Sequence, residues 1–152
     1  HLARLEFAVT ASVHFLFVAT TLGLAPVVAC YATRHAVTGD PRHGRLTDYV
    51  MRLYLVNYGI GIVSGLLMEL QMGMNWAGDG TALYDPVASA LAVETVFAFF
   101  LESTFIGLFL ASAGRFPQWL RALLVWGAAL TAWASAVIVV SASIRRASST
   151  WV

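Results

Sequence analysis

Charge is scarce in this chain of 152 residues: Asp, Glu, Lys and Arg make up 11% of it, against 59% hydrophobic residues. That balance, with a mean hydropathy of +0.76, lies outside the range of ordinary soluble domains. Lysine is missing altogether. All nine basic residues are arginine, which, beside so much alanine, is the composition of a GC-rich bacterial genome. A net charge of +1 provides no basic face for nucleic acid, and none is expected as a partner. The single cysteine, Cys30, excludes an internal disulfide, and its apolar surroundings make it a small packing residue. Linkers, repeats and low-complexity tracts are also lacking, so residues 1–152 read as one transmembrane domain.

What the chain has is long apolar runs. Four segments, about 5–33, 49–76, 86–114 and 117–143, are each long enough to cross a bilayer as a helix, since ~20 residues suffice at ~1.5 Å of rise. The expected fold is an all-α integral membrane four-helix bundle, with the lipid bilayer as its surroundings. The first run is too long, and starts too near the first residue, for a cleaved signal peptide. Pro26 should free the carbonyl of Leu22 and kink the first helix. Gly61 and Gly65 form a small-xxx-small pair on the second span, suited to helix packing or to close approach of a flat ligand.

Loop charges orient the bundle. Arg34, Arg42, Arg45 and Arg52 fall in the first connection and Arg115 and Arg121 in the third. The second, around Asp79 and Asp85, has no basic residue. Arginine excess marks the cytoplasmic side, so both termini are expected on the outer, periplasmic face. Arg4, Arg145 and Arg146 at those termini run against the trend. His35 and His43 read as solvated loop residues of the first connection.

Against this background, Glu94 and Glu102 stand out in the third span. A carboxylate at membrane depth costs at least ~2.5 kcal/mol, and folding does not demand that twice on one helix. A proton, a cation or a metal is the expected partner. His14 lies about nine residues into the first span, Glu94 about eight into the third, and Glu69 about seven before Trp76; all three therefore sit ~10–14 Å from the outer end. Met68 and Met72 adjoin this layer. Glu102 follows Glu94 at ~12 Å greater depth and about 80° around an α-helix, an offset that suits a relay or a second site. On chemistry alone His14 is either a haem or metal ligand or a structural hydrogen bonder. Imidazole is a standard axial ligand of haem iron, and bundle interiors commonly hold such cofactors. Phe7, Phe15, Phe17, Phe97, Phe99 and Phe100 would wall a flat macrocycle or form plain core.

Three motifs carry a resemblance. The first is Arg4-Leu-Glu-Phe-Ala, followed by His14-Phe-Leu-Phe-Val and Thr21-Leu-Gly-Leu. The second is Gly65-Leu-Leu-Met-Glu69-Leu-Gln71-Met-Gly73-Met-Asn75-Trp76. The third is Ala92-Val-Glu94-Thr-Val-Phe-Ala-Phe-Phe-Leu-Glu102-Ser-Thr-Phe-Ile-Gly107. In this order they resemble the first three helices of subunit I of the cytochrome bd quinol oxidases. The fourth span is similar only in general character.

The resemblance implies roles. His14 matches an axial haem ligand, Glu94 a glutamate approaching the haem from the opposite side, and Glu102 a residue of the proton supply. Arg4 matches an arginine near the outer surface, where a guanidinium neutralises a haem propionate. Glu69 matches a motif acid without an assigned role. The implied protein is a multi-pass cytochrome of the bacterial cytoplasmic membrane, acting in electron transfer or oxygen reduction. Its haem would be b-type, with d-type as the alternative.

Family members are considerably longer, and their quinol loop and low-spin haem ligands have no counterpart in this sequence. Oxidoreductase activity of the quinol oxidase type is therefore expected only with a completing partner. That partner would be a second copy or another membrane subunit, and the small molecules would be quinol or oxygen. Two rivals remain at this stage. One is a proton-coupled transporter or channel subunit using Glu69, Glu94 and Glu102; the other is a haem-free assembly subunit.

Overall fold

A computed structural model describes residues 2–76 and 95–149. Helix α1 is Leu2–Thr38 and α2 is Pro41–Trp76. Helix α3 covers 95–111, a π-helical stretch Thr95–Glu102 running directly into α-helical Ser103–Ala111. Helix α4 is Gln118–Ser149. Three stretches are long and apolar enough to cross a membrane: Leu2–Thr38, Pro41–Gln71 and Gln118–Ala142. Of the third expected span, the described apolar helix is Phe99–Ala111, and 86–94 lies outside the described residues.

The helices overrun the apolar runs, and this corrects the reading of the first connection. Only Gly39 and Asp40 separate α1 from α2, so His35 and His43 are helical rather than loop residues. Nothing in the polar helix ends breaks the backbone until Gly39, whose φ of 68° lets its N–H return to the carbonyl of His35 at 2.9 Å. Asp40 then caps α2, its Oδ1 accepting from the N–H of Arg42 at 2.8 Å. Pro41 takes the first helical position, where its missing N–H is no loss. His35 folds over Gly44 and donates from Nδ1 to the carbonyl of Asp40 at 2.9 Å.

Helix α1 packs against α2 on one side and α4 on the other, while α3 packs against α4. The contact surface is built from small residues: Ala25, Val28, Ala29 and Ala32 of α1 meet Ala122, Val125, Ala128 and Ala129 of α4 in one cluster. Lipid supplies no hydrophobic drive between helices, so close backbone approach over small side chains holds them together. Gly127 provides one such approach, since a Cβ there would stand 2.8 Å from the ring of Phe105. Thr21 and Thr131 satisfy their hydroxyls within their own helices, donating to the carbonyls four residues back.

The carbonyl of Leu22, freed by Pro26, accepts a hydrogen bond from Nε1 of Trp133 on α4 at 3.2 Å. Cys30, expected in the packing, is instead exposed on the outside of the bundle, the face such a helix turns to lipid.

Candidate functional site

Gly61 and Gly65 of α2 lie against His14 of α1. A Cβ on Gly65 would stand 2.9 Å from Cε1 and 3.2 Å from Nδ1 of His14, so the glycine is what admits the imidazole between the helices. His14 is buried and lies with Nδ1 3.0 Å from the carbonyl oxygen of Gly61. A carbonyl only accepts, so Nδ1 carries the proton and Nε2 keeps its lone pair. This is the tautomer of an Nε2 metal ligand, oriented by the bond at the other ring nitrogen. The hydroxyl of Ser64 lies 3.4 Å from Nδ1 as well.

His14 opens on a cavity of about 90 Å³ that is partly open to the surroundings. Its walls are largely apolar: Val18 and Leu22 from α1, Ile62, Leu66 and Met68 from α2, and Ala132 from α4. Four chemically active groups join His14 there: Tyr58, Glu69, Glu102 and Ser135.

The cavity thus brings three sequence candidates together, His14, Glu69 and Glu102. Arg4 is exposed near the start of α1 and is not part of the lining. Glu94 lies outside the described residues, as does the side chain of Met72. Of the six phenylalanines, Phe99 lines the cavity, whereas Phe15 and Phe100 are exposed. The expected offset of Glu102 from Glu94 starts at a residue outside those described, and the helix that leads to Glu102 departs from α-helical pitch. Thr95–Glu102 is π-helical, with more residues per turn and therefore a different facing.

Glu102 is 2% exposed and accepts a hydrogen bond at Oε1 from the hydroxyl of Tyr54. Next to it, Ser103 Oγ lies 2.8 Å from the hydroxyl of Tyr58. Two turns of α2 thereby hold consecutive residues of α3 and close the bundle. Beside them Asn57 donates to the carbonyl of Phe17 at 2.7 Å and to Oγ1 of Thr21 at 2.5 Å. Among the described residues Ser135 Oγ has no hydrogen-bond partner, although the residue is 3% exposed. A buried hydroxyl left this way beside a cavity is waiting for an occupant to bond.

Tyr54, Tyr58, Asn57 and Ser135 were missed from sequence. The i, i+4 spacing of Tyr54 and Tyr58 was the available signal for the pair. Ser135 had none, since it sits in an Ala-Ser stretch that reads as packing.

Haem is the group the motifs imply, and the residues present fit it. His14, seated where Gly65 leaves room for its ring, and Ser135, whose hydroxyl has no partner among the described residues, line one apolar-walled cavity. No group of three or more His, Cys, Asp or Glu side chains among the described residues forms a bare metal-ion site.

The comparisons agree with this chemistry. The family profile for cytochrome bd terminal oxidase subunit I matches residues 2–144. The cytochrome bd-II ubiquinol oxidase subunit 1 of Escherichia coli is 38% identical over 142 residues, covering 93% of this chain. The cytochrome bd ubiquinol oxidase subunit 1 of Bacillus subtilis is 38% identical over 125 residues, covering 82%. This chain spans 28% and 27% of their respective lengths. The structure of bd oxidase from Geobacillus thermodenitrificans superposes with a TM-score of 0.80 at 26% identity, over 91% of this chain and 32% of the other.

Proposed function

The chain belongs to the cytochrome bd terminal oxidase subunit I family, and on that premise we propose that it is a haem-binding cytochrome of the bacterial cytoplasmic membrane, working in electron transfer or oxygen reduction. The observation that carries this reading is His14. Its Nδ1–H is spent on the Gly61 carbonyl, its Nε2 lone pair is free, and its seat exists because residue 65 has no side chain.

A b-type haem bound here supplies one-electron chemistry. The chain's own residues do the rest. His14 ligates and orients through Nε2. Val18, Leu22, Ile62 and Leu66 exclude water and lower the local dielectric. Glu102 takes up and releases a proton at the cavity, with the Ser135 hydroxyl facing the same space. Glu94 would be a further residue holding such a haem, and Arg4, near the start of α1, would neutralise one of its acidic side groups. Glu69 adds a second carboxyl to the cavity wall. Both termini face outward.

Because the chain spans under a third of its relatives' length, quinol oxidation requires what completes it: further chain, a second copy or another membrane subunit. The test is a visible spectrum of detergent-purified protein from haem-replete cells, before and after dithionite. An intense Soret band that sharpens on reduction is expected. A d-type spectrum would change the haem assigned, and a colourless protein would put the transporter or scaffold reading in front.

A further inference from the structure

Glu102 is a flexible side chain in a place where flexibility is unhelpful. A carboxyl that handles a proton at membrane depth needs one oxygen aimed at its exchange partner, and hydrocarbon offers nothing to hold it. The holder is on α2. Tyr54 and Glu102 are each 2% exposed, and the phenol hydroxyl donates to Oε1. Tyr54 does not line the cavity that Glu102 lines. It belongs instead to the buried core cluster with Ala25, Val28, Met51, Val125 and Ala128, so the position of its hydroxyl is set by the core.

One turn on, Tyr58 stacks on Tyr54 with centroids 6.0 Å apart and planes 5° from parallel. Its hydroxyl meets Ser103. Glu102 and Ser103 are the last π-helical and the first α-helical residues of α3. Where the π stretch ends decides which way Glu102 points, and two stacked rings one turn apart on α2 bond both sides of that junction.

We propose that Tyr54 is a positioning residue for Glu102: by donating to Oε1 it reserves Oε2 as the oxygen that exchanges a proton with the cavity, and the Tyr58–Ser103 contact keeps that junction in register. The proposal rests on the reading that Glu102 handles protons there. Among the described residues the other titratable groups on the cavity are His14 from α1 and Tyr58 and Glu69 from α2, and α4 adds the Ser135 hydroxyl.

Dicyclohexylcarbodiimide tests this on the protein in membranes, with or without haem. It reacts with the protonated acid: the carboxyl oxygen bonds to the carbodiimide carbon, the proton passes to a carbodiimide nitrogen, and the adduct is read by peptide mass. Tyr54→Phe removes only the hydroxyl. It should raise labelling of Glu102 by about tenfold, the worth of a hydrogen bond to a charged group. Glu102→Gln should abolish the label, and Tyr49→Phe, on the exposed face of α2, should label like wild type.

Biosynthetic replacement of tyrosine by a ring-fluorinated tyrosine keeps the fold and strengthens the donor, so it should slow labelling below wild type. Equal rates in wild type and Tyr54→Phe, or no effect of fluorination, overturn the proposal. A colourless protein that still shows these rates overturns the haem reading alone, and a coloured one with unchanged rates overturns only the role of Tyr54.

Discussion

The imidazole of His14 occupies the space of a side chain that Gly65 does not have: a Cβ built there would lie 2.9 Å from Cε1. The ring cannot swing aside freely, because Nδ1 is tied to the Gly61 carbonyl at 3.0 Å. Gly65→Ala should therefore lower haem content and destabilise the bundle by about 1–3 kcal/mol, the usual cost of overpacking. Gly59→Ala, where a Cβ meets nothing within 4 Å, should change neither. Haem per protein and thermal unfolding in detergent check both.

The bond from Trp133 to Leu22 answers the kink at Pro26. Trp133→Phe should cost about 0.6 kcal/mol, the average measured for interhelical hydrogen bonds in a membrane bundle, and no more than about 1.7 kcal/mol. In a Pro26→Ala background residue 26 regains an N–H for the Leu22 carbonyl, so the same change should cost clearly less. Additive effects in the double-mutant cycle would mean that the indole contributes by packing alone.

Asn57 joins α2 to α1 through the carbonyl of Phe17 and the hydroxyl of Thr21. Asn57→Leu keeps much of the volume and loses both bonds. A fall in unfolding free energy of about 1–2 kcal/mol is expected from the interhelical range for two bonds that share one side chain. The measurement is chemical unfolding in detergent.

Glu102 and Glu94 should differ in a redox titration. Glu102→Gln should leave the visible spectrum nearly intact and flatten the dependence of the haem potential on pH, since a carboxyl that gains a proton on reduction offsets the added electron. Glu94→Gln should move the spectrum or the potential itself. Identical behaviour of the two would make them one site and remove the relay.

Much of this was legible in sequence, for reasons that can be named. Apolar length revealed the helices, Pro26 its freed carbonyl, and the depth of His14 and Glu69 their meeting on one cavity. The first connection was misread because hydropathy reports where lipid ends, whereas Gly39 and the Asp40-Pro41 cap report where helices end. Cys30 was misplaced because in a membrane an apolar neighbourhood does not distinguish inside from outside. The π-helical course of Thr95–Glu102 has no sequence period of its own, and with it went the facing of Glu102 and its bond to Tyr54. Ser135 became visible only as a hydroxyl left over in space.

The most direct measurement is the haem content of His14→Ala, by reduced pyridine adduct against protein mass, beside His35→Ala and His43→Ala. The structure puts His14 alone among these on the cavity, while His35 is engaged at the α1–α2 connection and His43 lies in the first turns of α2. Loss of most haem in His14→Ala, with the other two unchanged, is the result predicted. Normal haem in His14→Ala, or loss in either of the others instead, would contradict the account.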